Sequence, residues 1–303
     1  DPLALRNTHT RLPCCTRQDW PMLAERGKGD LNPLEGIGKR SAKTMAGSGN
    51  RMTKTIVMVH GVNCGGWCFE PFRAVLEARG YACHTPDLIG HGADKTDGIE
   101  KLTGVGIADY RAQMQDFIAA LPEKPILLGH SMGAVIAQQI AAAGRAEKLV
   151  LASPAPRAGI LPFSEPEKQL GRNLISLGAF WRRAFDPNFE TACNISLNRL
   201  SPERQRQRQV FGAFGPESGQ ALFELFFWMF DRAGATAVDT HAVKCPVLTL
   251  SGTDDRVVPL DTAKATADAY PGCPFWVLED HAHMLVVEDG ADKVGGRIAD
   301  WLD

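Results

Sequence analysis

From Thr55 to the carboxyl end, short apolar runs rich in β-branched residues alternate with stretches of helical spacing. Thr55–Val59 is apolar almost throughout, the pattern of a strand buried on both faces. A glycine-containing loop follows, then helical spacing through Phe72, Val75 and Leu76. Further strand-like runs lie at Tyr81–Thr85, Pro125–Leu128, Lys148–Leu151, Pro246–Leu250 and Phe275–Leu278. Helical stretches at Ile107–Leu121, Met132–Ala143, Thr262–Ala269 and Asp292–Trp301 separate them. Strands joined through helices make a parallel sheet with right-handed crossovers. The expected class is therefore α/β: a mainly parallel sheet of about six strands, flanked by helices and starting at Thr55.

Residues 157–240 interrupt this alternation with helix-like stretches and no strand pattern. Leu222, Leu225, Phe226 and Met229 fall at helical spacing, with Phe223, Phe227, Trp228 and Phe230 beside them. An insertion between two sheet strands stands over the strands' carboxyl ends, where open α/β sheets bind ligands. Residues 157–240 are thus expected to form a helical cap on a core of 52–156 and 241–303. Phe226, Trp228 and Met229 are the candidate pocket residues. The same aromatic stripe also serves to hold the insertion onto the core, and a cap's underside can do both.

The chemistry centres on Gly129-His130-Ser131-Met132-Gly133. Gly-x-Ser-x-Gly alone is a weak pattern; here it lies between a strand and a helix. A turn that sharp strains the serine backbone and exposes its hydroxyl. Gly129 and Gly133 lack side chains because strand and helix backbones approach closely there. The helix start directs free N–H groups and partial positive charge at the reacting centre. A serine hydroxyl needs a base, and the base needs an orienting acid. The late part of the chain offers two adjacent acids, Asp254 and Asp255, and two histidines, His281 and His283.

The chain resembles the α/β-hydrolase superfamily over residues 55–303. The matching segments are His60-Gly61, Pro86-Asp87-Leu88-Ile89-Gly90-His91-Gly92, the serine motif, and Gly252-Thr253-Asp254-Asp255-Arg256-Val257-Val258-Pro259. Within it, His60-Gly61-Val62-Asn63-Cys64-Gly65-Gly66-Trp67 looks like the opening of the plant methylesterase and hydroxynitrile-lyase branch. That branch also commonly starts its sheet at this strand. The resemblance implies Ser131 as nucleophile. It implies Asp255 rather than Asp254 as acid, three residues after Gly252, and His283 rather than His281 as base. Ala282-His283 stands where the family has Gly-His, with Glu288 at the matching acidic position in a structural role. The implied oxyanion donors are the backbone N–H groups of Val62 and Met132. His60 then braces the loop, and His91 is structural. The implied reaction is acyl transfer from a small or moderate hydrophobic ester, a carboxylesterase activity without cofactor. Lactones and thioesters suit the same machinery. A carbon–carbon hydrolase or lyase and a slow-turnover ligand receptor are the rivals, and a cyanide-releasing lyase would need a lysine that has no clear candidate here.

Composition limits the partners. A formal net charge of −2 on 303 residues gives no overall attraction to nucleic acid or anionic membrane. The longest apolar runs fall well short of the roughly 20 residues of a membrane span. Eight scattered cysteines do not make a disulfide framework, which favours reduced thiols and a cytoplasmic setting. His281-Ala282-His283 lacks the third ligand of a catalytic metal site, and Cys64 and Cys68 lack a second pair, so no metal is expected. Residues 1–51 are basic, rich in Gly, Pro and Arg, and without sustained period. They read as an upstream or fused extension, with native translation starting near Met52 or Met45. Gly36-Ile37-Gly38-Lys39-Arg40-Ser41 is not a phosphate loop: no Ser or Thr follows the lysine and no strand precedes it.

Overall fold

The computed structural model describes residues 54–92, 98–161, 164–200 and 204–303. The expectations for residues 1–51 fall outside them.

The strands are β1 (Thr55–Val59), β2 (Ala82–His84), β3 (Ile126–His130), β4 (Leu149–Ala152), β5 (Ala184–Phe185), β6 (Glu217–Ser218), β7 (Val247–Gly252) and β8 (Phe275–Leu278). The α-helices are α1 (Glu70–Ala78), α2 (Gly98–Leu102), α3 (Ile107–Ala119), α4 (Met132–Ala142), α5 (Glu165–Ser176), α6 (Phe189–Ile195), α7 (Arg204–Phe211), α8 (Gly219–Phe226), α9 (Leu260–Asp268) and α10 (Ala291–Leu302). Six strands form one sheet in the order β2-β1-β3-β4-β7-β8, each neighbouring pair parallel. The expected runs match these strands to within one or two residues at their ends.

Strand periodicity builds two separate cores. Ile56, Met58, Ile126, Leu128, Val150, Leu248 and Leu250 point to one face, where Phe72 and Leu76 of α1 and Val294, Ile298 and Leu302 of α10 cover them. Val57, Val59, Leu127, Leu149 and Leu151 point to the other, beneath Tyr110, Met114 and Ile118 of α3 and Val135, Ile136 and Ile140 of α4. Each such fully buried aliphatic side chain contributes on the order of 1.5–3 kcal/mol. β1 sends the chain to β2 on one side, and the later strands add on the other. The order therefore reverses between β1 and β3, and the crevice beyond their carboxyl ends is the ligand position of such sheets.

Between β4 and β7 the chain runs through α5 to α8. It also forms a two-residue antiparallel ribbon, β5 with β6, that the sequence pattern does not announce. Strands that short carry no readable alternation. Buried polar bonds join this segment to the sheet domain: Thr262 Oγ1 donates to Glu167 Oε1 at 2.8 Å, and Ile107 N–H to Glu224 Oε2 at 2.6 Å. Among the described residues, no helix is long and apolar enough to cross a membrane, and the six described cysteines form no disulfide.

Candidate active site

β3 delivers Gly129 and His130 as its last residues, and α4 begins at Met132, so Ser131 is the whole connection between strand and helix. Its backbone sits at φ 52° and ψ −120°. For a residue with a side chain this costs on the order of 1–3 kcal/mol. The surroundings hold it there. Ser131 N–H donates to Ala152 O at 3.1 Å, and its carbonyl accepts from Ala134 N at 2.9 Å and Ala155 N at 3.1 Å. A side chain on Gly133 would place Cβ 2.0 Å from Val59 O, and one on Gly129 would lie 2.5 Å from Ala134 Cα. Both glycines are required by the close approach of β1, β3 and α4.

Three segments distant in sequence converge on that serine. His283 Nε2 lies 3.1 Å from Ser131 Oγ, and His283 Nδ1 lies 3.0 Å from Asp255 Oδ2. A carboxylate only accepts, so the Nδ1 proton faces Asp255 and the Nε2 lone pair faces the serine hydroxyl. Asp255 is fixed by its own loop, where Oδ1 accepts from Val257 N–H at 2.9 Å and Val258 N–H at 2.8 Å. All three side chains belong to buried residues. Asp254 is exposed and pairs with Arg199 at 3.2 Å. His281 turns away, with Nδ1 2.9 Å from Glu279 O.

The loop carrying His283 accepts alanine at 282 because its left-handed residue is Asp280, with φ 58°. Ala282 N–H donates to Glu288 Oε2 at 2.8 Å. Burial, with the nearby Asp255 charge, raises the Glu288 carboxyl to about 7. His130 is a residue the sequence reading passed over inside its own motif. Its Nε2–H donates to His283 O at 2.8 Å, and the two rings are 5.0 Å apart. Burial, and then His283, push His130 down to about 3, so it is a neutral prop beneath the His283 ring.

The loop after β1 lies against the serine: a Cβ on Gly61 would sit 2.8 Å from Ser131 Cβ. Leu88 N–H donates to His60 Nε2 at 3.0 Å, so His60 Nδ1–H is the donor to Gly61 O at 2.9 Å. Burial, and then His91, lower His60 to about 4, which keeps it neutral in this bracing position. Met132 is the first residue of α4, and helix-start N–H groups have no partner within the helix.

A cavity of about 190 Å³ opens onto Ser131 and His283. Its walls are largely apolar: Leu170 and Leu174 of α5, Phe214 from the loop after α7, Leu222, Leu225 and Phe226 of α8, and Val62 and Val257 from the sheet side. Phe226 is among the lining residues. Trp228 and Met229 are not in the lining. α8 ends at Phe226, and the chain then turns outward, leaving Met229 41% exposed and Trp228 Nε1 donating to Ile160 O at 3.1 Å. Leu222 and Leu225 already stood at helical spacing with Phe226; the wall from α5 had no such signal.

Residues 56–295 match the alpha/beta hydrolase family. The chain belongs to that family. This hydrolase is 28% identical over 266 residues to a pyrethroid hydrolase of Sphingobium wenxiniae, a match covering 83% of this chain and 89% of the relative. It is 36% identical over 87 residues to methylesterase 7 of Arabidopsis thaliana, covering 28% and 32%. The solved structure of another Arabidopsis methylesterase superposes with a TM-score of 0.61 at 16% identity, covering 82% of this chain and 99% of that one, a likeness of fold. The hydrolase is of the esterase type.

Proposed function

We propose that this hydrolase cleaves carboxylic esters through an acyl-enzyme on Ser131. The observation that carries the reading is the unbroken relay from Asp255 Oδ2 through His283 to Ser131 Oγ, at 3.0 and 3.1 Å. Ser131 Oγ attacks the ester carbonyl while His283 Nε2 takes its proton. The negative charge collects on the former carbonyl oxygen, where the N–H groups of Val62 and Met132 receive it; one such donor is worth about 3–4 kcal/mol. Collapse breaks the C–O bond, and His283 gives its proton to the departing alcohol. Water, deprotonated by His283, then attacks the acyl-enzyme and releases the acid and the serine. The scheme needs no cofactor.

The apolar cavity supports a small to moderate hydrophobic ester, and the curated relatives' names point the same way. In this reading residues 157–240 cap a core of 52–156 and 241–303, residues 1–51 are an extension, and the unpaired thiols suit a reducing, cytoplasmic setting. The test is rapid mixing with p-nitrophenyl esters of increasing chain length, with lactones, thioesters and pyrethroid esters in the same panel. A burst of one p-nitrophenol per chain, an acyl adduct located on Ser131 by mass spectrometry, and continued turnover are expected. An adduct that forms once and stalls would make the protein a receptor. Turnover without any adduct would overturn the serine mechanism.

A further inference from the structure

The turn that carries the Val62 N–H has two supports, one from each region of the molecule. Cys64 N–H donates to Gly61 O at 3.2 Å, closing a four-residue turn whose third residue, Asn63, is left-handed at φ 61°. His60 Nδ1 shares the same carbonyl at 2.9 Å. In a planar trans peptide the N–H points opposite to the C=O. Fixing Gly61 O therefore fixes the direction of Val62 N–H, provided the far end of the turn cannot roll.

That far end is held by the inserted segment. Asn63 N–H donates to Glu217 Oε2 at 3.3 Å, its side-chain amide donates to Gly215 O at 2.8 Å, and its carbonyl accepts from Gly215 N at 2.9 Å. Asn63 thus offers its N–H, C=O and side chain to residues 215–217. Glu217 is buried in turn. Its Oε1 accepts from Tyr110 Oη and from Ser218 N–H, both at 2.8 Å, and its Oε2 lies 3.1 Å from His91 Nε2. His91 Nδ1 lies 2.8 Å from the Ile89 carbonyl, which can only accept, so that nitrogen carries a proton. Burial opposes charge on both partners. Their mutual attraction and hydrogen bonds outweigh it, raising His91 and holding Glu217 below the usual carboxylate range. The result is a buried His91–Glu217 pair whose carboxyl group also grips the turn beside Ser131.

We propose that Glu217, carried by the inserted segment, is a positioning residue for ester turnover: through Asn63 it sets the direction of the Val62 N–H towards the developing oxyanion. The proposal rests on the reading of Ser131 as nucleophile and Val62 as oxyanion donor. It makes the inserted segment part of the rate machinery as well as a pocket wall. It also distinguishes Glu217 from Glu224, which is buried in the same segment but caps Ile107 of α3, away from the turn.

The test uses the full chain and its Glu217→Gln, Asn63→Ala and Glu224→Gln variants. Each is measured for kcat and KM on one p-nitrophenyl ester. Each is also titrated with an aryl trifluoromethyl ketone, whose serine adduct bears an oxyanion, and with the matching methyl carbinol as a ground-state probe. Glu217→Gln is expected to lower kcat by roughly 10–100-fold, short of the 10²–10³ for outright loss of a donor. Its KM and carbinol affinity should stay within about threefold, and its ketone affinity should fall in step with kcat/KM. Asn63→Ala should show the same split. Glu224→Gln should leave kcat and ketone affinity near wild type, whatever it does to the melting temperature. Unchanged kcat and ketone affinity in a folded Glu217→Gln, or a rise in KM alone, would overturn the proposal. So would an equal loss in Glu224→Gln. Should Glu217→Gln fail to fold, Asn63→Ala decides by the same criteria. Failure of the parent reading looks different: wild type would form no covalent ketone adduct, or Ser131→Ala would keep its turnover.

Discussion

In the sheet core, the inner strands β1, β3, β4 and β7 send alternate side chains into two apolar layers, and Ser131, Asp255 and His283 stand on the loops beyond the strands' carboxyl ends. The segment between β4 and β7 is built otherwise: short helices and a two-residue ribbon, joined to the core through the buried carboxylates of Glu167, Glu217 and Glu224. Strain follows the same division. The non-glycine residues with positive φ among those described are Asn63, Ser131, Ser153 and Asp280, and each lies just beyond a core strand. Such backbone persists only where its surroundings over-determine it, and the two-layered core supplies that rigidity. The inserted segment supplies the apolar wall of the cavity. Substitutions in the core loops should therefore act on the rate constant, and those in the wall on substrate binding, with Glu217 as the proposed crossing point.

The largest effect expected is at the relay. Ser131→Ala should cost roughly 10³-fold or more in kcat, and combining it with His283→Ala should add little, because the groups act as one unit. Additive losses in the double variant would break the relay into independent parts. Next in size is a contrast between neighbours. Asp255→Asn should cost at least about 10²-fold by disturbing the orientation of His283. Asp254→Asn should stay within about threefold, since an exposed ion pair such as that with Arg199 is worth little. Steady-state kinetics of the two variants side by side decides the assignment; the reverse ranking would move the acid to Asp254.

This division also explains what the sequence could disclose. The inner core strands were legible because burial on both faces demands an unbroken apolar run, and the turn at Ser131 because a glycine stands two residues away on each side. Separating Asp255 from Asp254 and His283 from His281 took the family pattern, since adjacent acids and alternate histidines look alike as composition. In the inserted segment, the expected face ran from Phe226 on to Trp228 and Met229, past the end of α8 at Phe226, because no cap residue marks where that helix stops. β5 and β6 are too short for any period. Glu217 was invisible because its meaning lies in His91, Tyr110 and Asn63, all more than 100 positions away in the chain.

A smaller effect is expected at the cavity wall. Leu174→Ala and Phe226→Ala should each lower kcat/KM for a long-chain p-nitrophenyl ester by about 10-fold, the loss typical of removed apolar pocket contact. Most of it should appear in KM, with little loss for the acetate. Met229→Ala, outside the lining, should change neither by more than about twofold, since exposed side chains away from a site contribute little. A chain-length profile altered by Met229→Ala and untouched by Phe226→Ala would mean that the wall is misplaced.

The smallest effect on rate, and a distinct one on stability, is expected at Glu288. One oxygen of this carboxylate accepts the Ala282 N–H, while Oε1 is buried without a hydrogen-bond partner. Burial raises its pKa from 4.5 to about 7. Between those values the folded chain keeps a proton that the unfolded chain has already released. Folding stability therefore falls as pH rises through this window, and above it the whole penalty is present. The shift corresponds to at most about 3 kcal/mol at 1.36 kcal/mol per pH unit. Glu288→Gln keeps an acceptor for Ala282 and cannot ionise, so it should match wild type in urea denaturation near pH 4.5 and be more stable by up to about that amount at pH 8. Its kcat should stay within about threefold of wild type, because the Ala282 N–H beside His283 remains held. A stability difference that is flat with pH, or that favours wild type at pH 8, would show that Glu288 is ionised and satisfied in the fold. The His283 loop would then be braced by a charge rather than by a neutral carboxyl group.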